Sequence, residues 1–237
     1  MGRARRQNLD SERSVQIPID GRMLSGDLSI PPSARGIILF AHGSGSSHLS
    51  PRNQYVAHEL QRADLATLLM DLLTAEEEEI DARTGALRFD IELLAHRLLK
   101  ATVWSASQPD TASLRVAYFG ASTGAAAALV AAASIPDLVA AIVSRGGRPD
   151  LAGEALHHVV APTLLIVGGQ DRTVLELNRR ALSELGAKEK DLEIVPSASH
   201  LFEEPGTLES VAHLATKWFV RYVTARVDKK NVSRVGS

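Results

Sequence analysis

The sequence predicts an α/β protein: a mostly parallel, doubly wound sheet of about eight strands with an antiparallel N-terminal edge. Three observations carry this expectation. Apolar runs of strand length alternate with longer stretches of helical period, those runs are nearly continuous, and two further runs near the start flank a turn dipeptide. Continuous apolar strands suit a parallel sheet covered on both faces. The intervening helices supply the crossovers that parallel strands require.

Taken in order, Ser14–Ile19 and Met23–Ile30 flank Asp20-Gly21, a hairpin signal, and are expected to pair at the sheet edge. The buried strands are expected at Gly36–Ala41, Ala66–Met70, Leu114–Phe119, Val139–Val143, Thr163–Val167 and Leu192–Val195. Between them, Leu87, Ile91, Leu94 and Leu98 share one helical face, and Leu175, Ala181, Leu182 and Leu185 share another. The last helix carries Leu208, Val211, Leu214, Ala215, Trp218 and Tyr222, and Trp104 and Trp218 read as packing residues. The acidic run Glu76–Glu79 reads as a solvated loop or a helix N-terminus, where carboxylates suit the dipole. No linker or repeat divides the 237 residues, so one domain is expected over 14–226, with polar tails at 1–13 and 227–237.

Composition narrows the chemistry. With 26 Lys+Arg against 28 Asp+Glu, the chain has no global electrostatic reason to bind nucleic acid or an anionic membrane. It contains no cysteine, which excludes a disulfide framework, thiolate metal sites and a sulfur nucleophile. The basic start Met1–Arg6 leads into Asp10, Ser11 and Glu12 instead of an apolar stretch, and no window approaches a membrane span. A cytoplasmic enzyme with no cofactor and no metal is expected, because no His/Asp/Glu group has convincing ligand spacing.

The segment Phe119-Gly120-Ala121-Ser122-Thr123-Gly124 joins a buried strand to an alanine-rich helix, Ala125–Ala133. This is the G-x-S-x-G pattern in its strand–turn–helix context. A serine on so sharp a turn needs tiny neighbours, and the turn sets its hydroxyl at a helix N-terminus, where the Thr123 N–H can face a developing oxyanion. The pentapeptide alone is a weak signal, since small residues gather in many tight packing turns.

Other segments add weight. His42-Gly43-Ser44-Gly45 ends the first buried strand, and its glycines let a loop fold beside Ser122, so that the Ser44 N–H becomes a second oxyanion donor. A phosphate loop is the rival, but the Lys-Ser/Thr ending is missing. Gly169-Gln170-Asp171 follows the Thr163–Val167 strand, placing Asp171 at the same carboxyl edge. Asp150 competes for the acid role and reads better as a helix N-cap. Among the downstream histidines His157, His158, His200 and His213, His200 alone follows a strand at that edge. The order Ser122, Asp171, His200 gives nucleophile, acid and base for acyl transfer.

On these residues the chain from about Ser14 to Tyr222 resembles an α/β hydrolase of the dienelactone-hydrolase-like group. The carrying segments are Leu39–Gly45, Met70-Asp71-Leu72-Leu73-Thr74, Gly120–Gly124, Gly169-Gln170-Asp171 and Ser199-His200-Leu201-Phe202. The resemblance implies a carboxylic-ester hydrolase with an acyl-enzyme intermediate, in a group whose domains occur alone and fused to phosphoribosyltransferases. Dienelactone hydrolases proper attack with cysteine, where this chain has Ser122. The short connection from Val143 to Thr163 leaves no room for a large lid, so small, short-chain esters or lactones are the expected substrates. Arg145 and Arg148, after a strand at the catalytic edge, are candidate contacts for a substrate carboxylate or lactone, with a purely structural pairing weighted equally. The same groups would support acyl transfer or perhydrolysis, and the fold can also serve as a small-ligand binding protein. A monomer or homodimer is expected.

Overall fold

A computed structural model describes residues 12–224. It contains one eight-stranded sheet, β1 (Glu12–Ile19), β2 (Arg22–Ser29), β3 (Gly36–Ala41), β4 (Ala66–Met70), β5 (Arg115–Ala121), β6 (Val139–Arg145), β7 (Thr163–Gly168) and β8 (Lys190–Val195). Their order across the sheet is β1-β2-β4-β3-β5-β6-β7-β8, antiparallel up to the β2/β4 pair and parallel from there on. The predicted fold class is therefore observed. The expected tails lie outside the described residues, except for Glu12 and Arg13, which already belong to β1.

The hairpin forms as the sequence predicts. Ile19 pairs with Arg22, and Asp20 and Gly21 take φ of 52° and 77°, the two positive values that a tight two-residue turn requires. β3 to β7 are buried along their whole lengths apart from Arg115, because helices cover both faces.

The helices are α1 (Pro51–Arg62), α2 (Ala75–Thr84), α3 (Ile91–Ser107), α4 (Thr123–Ser134), α5 (Arg172–Glu184) and α6 (Thr207–Val223). One apolar cluster joins the sheet to α3, α4 and the end of α5, and a second joins its other face to α1 and α6. α4 sits at the centre of the first layer and is apolar nearly all round, which is why its alanines vanish from solvent. Trp104 and Trp218 are half-buried against these clusters, as the sequence suggests.

The acidic run resolves into the first turn of α2. Thr74 accepts from the Glu77 N–H and Glu77 accepts from the Thr74 N–H, a reciprocal capping box. Glu77 is buried and also meets Arg97 at 3.0 Å and Arg22 at 3.1 Å, tying α2 to α3 and the hairpin. Between β6 and β7 runs only a short 3-10 segment, Pro149–His158, kinked at Gly153. No lid stands on this connection. Among the described residues no helix is long and apolar enough to cross a membrane.

Candidate active site

Parallel strands deliver their following loops to one edge, and Ser122, Asp171 and His200 all lie on loops there. Ser122 occupies φ 51° and ψ −123°, a conformation that L residues rarely adopt and that persists only where the surroundings impose it. Three glycines impose it here. A Cβ on Gly124 would stand 2.2 Å from the Ala41 carbonyl oxygen, one on Gly120 would stand 2.5 Å from the Ala125 Cα, and one on Gly43 would stand 2.8 Å from the Ser122 Cβ. The Ser122 carbonyl is held by the N–H groups of Ala125 and Arg148.

Asp171 follows β7 and His200 follows β8. Asp171 Oδ2 lies 2.6 Å from His200 Nδ1, and its Oδ1 accepts from the Val174 N–H as the N-cap of α5. An acceptor carboxylate makes Nδ1 the protonated nitrogen and leaves the Nε2 lone pair facing outward. Gly168 and Gly169 are required by closeness, since a Cβ would meet the Ala198 carbonyl oxygen at 2.4 Å and the Pro196 carbonyl oxygen at 2.6 Å. Glu204 Oε2 accepts from the Ser199 N–H, and Phe202, at φ 55°, buries its ring in the core beneath the loop. The histidine is therefore carried on a braced segment.

No hydrogen bond within 3.5 Å links Ser122 Oγ to His200 among the described residues. The backbone nevertheless brings their loops together: Ser122 N–H donates to the Arg145 carbonyl at 3.4 Å, and a Cβ on the adjoining Gly146 would lie 3.6 Å from His200 Nδ1. Hydrogen bonds of this kind are commonly long in an empty site and tighten around substrate.

The loop after β3 folds over the N-terminus of α4. Ser44 Oγ lies 3.3 Å from Thr123 Oγ1, and the backbone N–H groups of both residues lack a backbone acceptor among the described residues. Two histidines that the sequence reading passed over fix this loop. His42 is buried, donates from Nδ1 to the Gly43 carbonyl and accepts the Leu72 N–H at Nε2. Burial pushes its pKa below the ordinary value of 6.5, as suits a neutral structural ring. His48 is held twice by Asp71, through its N–H and through Nδ1, both at 2.8 Å. The signal was the segment Asp71-Leu72 after β4, which clamps both ends of the loop.

Beside this loop lies a small concavity lined by Leu72, Leu73 and Leu94 together with Glu78, Asp81 and Arg88. Burial, helped by Asp81 and Asp71, raises the Glu78 pKa. Arg88 is committed to Asp81 at 2.7 Å.

The remaining candidates separate. Arg148 closes a bidentate pair with Asp150 at 2.8 and 2.7 Å. Asp150 stands inside the first turn of the 3-10 segment, whose N-cap is Arg148, so it is not the N-cap that the sequence suggests. Arg145, at the end of β6, is 8% exposed and forms no ion pair among the described residues. His157, His158 and His213 are exposed and form no hydrogen bond to Asp171 or Ser122 among the described residues.

The dienelactone hydrolase family profile matches residues 46–227. A crystal structure of a dienelactone hydrolase from Anabaena variabilis has 61% sequence identity and a TM-score of 0.87, covering 90% of this chain and 98% of that one. Est1E from Butyrivibrio proteoclasticus, solved with ferulic acid bound, shares the fold at TM-score 0.75 and 16% identity, covering 89% of this chain and all of its own. A protein of Mycobacterium tuberculosis named "Putative phosphoribosyl transferase" is 59% identical over 212 residues, 90% of this chain but 47% of its own length. The chain thus spans about half the length of the curated relatives it matches. By profile, by identity and by fold, this chain belongs to the dienelactone hydrolase family of α/β hydrolases.

Proposed function

We propose that this hydrolase cleaves small carboxylic esters or lactones through an acyl-enzyme on Ser122. The observation that carries the reading is the 2.6 Å Asp171–His200 pair set at the sheet edge with the strained Ser122. Ser122 Oγ attacks the acyl carbon while its proton passes to His200 Nε2, and Asp171 holds the ring and stabilises the imidazolium. The carbonyl electron pair moves onto oxygen, which the N–H groups of Ser44 and Thr123 receive. As the intermediate collapses, the C–O bond to the leaving group breaks and His200 returns the proton to the departing alcohol. Water then repeats the sequence in reverse, losing its proton to His200 and releasing the acid and free Ser122. The chemistry draws only on groups of this chain, so a chelator should leave the rate unchanged.

The short β6–β7 connection, which carries no lid over the carboxyl edge, supports a preference for small substrates. Hydrolysis of p-nitrophenyl esters should be fastest for short acyl chains and fall as the chain lengthens. A steady rise towards long fatty acyl groups would contradict this. A fluorophosphonate probe should label the wild type and not Ser122→Ala; an unlabelled wild type would end the serine-hydrolase reading. The transferase name belongs to proteins about twice as long, and the loop after β3 has no Lys-Ser/Thr phosphate-loop ending. The side chain of His200 is 41% exposed, which also leaves room for an alcohol or peroxide to replace water as acyl acceptor.

A further inference from the structure

Asn178 is out of place by local rules. It stands in the middle of α5, where asparagine is a poor helix former, on the buried stripe with Val174, Leu175 and Ala181, and it is fully enclosed at 0% exposure. Its Nδ2 donates to the Val174 carbonyl at 2.8 Å and to the Gly147 carbonyl at 3.0 Å, while its Oδ1 has no protein partner among the described residues. Both neighbours of Nδ2 can only accept, which fixes the orientation of the amide. An apolar side chain of similar size would fill the stripe and strand no polar atom. What the amide adds is its tie to Gly147.

Gly147 belongs to the turn that grips the nucleophile. Ser122 N–H donates to the Arg145 carbonyl at 3.4 Å, and Arg148 N–H donates to the Ser122 carbonyl at 3.0 Å, so residues 145–148 hold both backbone groups of the strained serine. The Gly147 carbonyl and the Arg148 N–H are the two ends of one peptide unit. That unit is planar, so anchoring its oxygen on Asn178 aims its N–H at Ser122, and a hydrogen bond at one end polarises the other. The turn also packs hard on α4: a Cβ on Gly147 would stand 2.0 Å from Ser144 Oγ and 2.6 Å from Ala125 Cβ. The same helix serves the acid, because Asp171 caps α5 through the Val174 N–H and the Val174 carbonyl accepts Asn178.

We propose that Asn178 is a positioning residue for the nucleophile: it fixes the Gly147–Arg148 peptide, which holds the Ser122 carbonyl and so keeps the serine in its attacking conformation. A backbone such as that of Ser122 persists only while its surroundings over-determine it, and Asn178 is the part of those surroundings that α5 supplies. One helix thereby sets both the acid and the nucleophile. The inference rests on the proposed acyl-enzyme for its kinetic consequence.

The test uses two variants. Asn178→Leu removes both donors at similar volume, whereas Asn178→Ser keeps a donor for the Val174 carbonyl within the helix and loses the reach to Gly147. In each, kcat for p-nitrophenyl butyrate and the rate of fluorophosphonate labelling should fall about ten- to a hundredfold with little change in KM. The pH profile of kcat should keep its wild-type shape, because the Asp171–His200 pair is untouched, and the Arg148 amide should exchange its hydrogen faster. A folded variant with wild-type kcat and labelling rate overturns the proposal whatever its Tm, as does a rise in KM at unchanged kcat. Should Asn178→Leu not fold, Asn178→Ser decides. Should fluorophosphonate fail to label the wild type, the esterase reading falls, and exchange of the Arg148 amide still reads whether Asn178 holds the turn. Equal labelling of wild type and variants sinks the positioning role and leaves the esterase reading standing.

Discussion

At the scale of single residues, the site depends on side chains that hold two duties at once. Asp171 caps α5 with one oxygen and orients His200 with the other. A capping role does not exclude an acid role, because a carboxylate has two oxygens and can do both. Asp171→Asn should lower kcat by roughly 10³ to 10⁴ while keeping the fold, because an amide can still cap but can present an N–H to the ring and so favour the wrong tautomer. Steady-state kinetics with a circular dichroism control checks this. Gly124→Ala should cost about 1–3 kcal/mol or more, since its methyl would overlap the Ala41 and His42 carbonyls. Urea unfolding measures it. Ser122, Asp171, His200, Ser44 and Thr123 were readable because strand ends and small-residue turns mark them. His42 and His48 were not, because their partners Leu72 and Asp71 are distant in sequence.

At the scale of elements, legibility followed apolar pattern. β3 to β7 and α3 to α6 announce themselves through apolar runs or stripes. α1 does not, because its sheet-facing stripe begins with a buried Asn53 and its remaining faces are polar. α2 was legible only as an acidic run. The structure adds that Glu77 is buried against Arg97, whose side chain is almost wholly enclosed. Glu77→Ala would remove the capping box and strand the Arg97 guanidinium, so a loss of about 3–5 kcal/mol is expected. Arg97→Met with Glu77→Gln should lose clearly less than the sum of the two single changes, which a double-mutant cycle in urea resolves.

At the scale of the whole molecule, two apolar layers clamp the sheet, and the short β6–β7 connection places no lid over its carboxyl edge. The buried neutral His42 links that edge to stability. Its folded pKa is depressed, so as pH falls through about 6.5 the unfolded chain takes up a proton that the folded chain refuses, and stability drops. Thermal unfolding should show this loss on the acid side of 6.5, and His42→Gln should flatten that part of the profile at a lower overall Tm. The central claim, a covalent acyl-enzyme on Ser122, is tested most directly by intact-mass spectrometry after mixing with p-nitrophenyl trimethylacetate, whose bulky acyl group slows deacylation. The account predicts a mass increase of one acyl group that maps to Ser122 and is absent in Ser122→Ala. Turnover with no acylated protein, or the same adduct in Ser122→Ala, would contradict it.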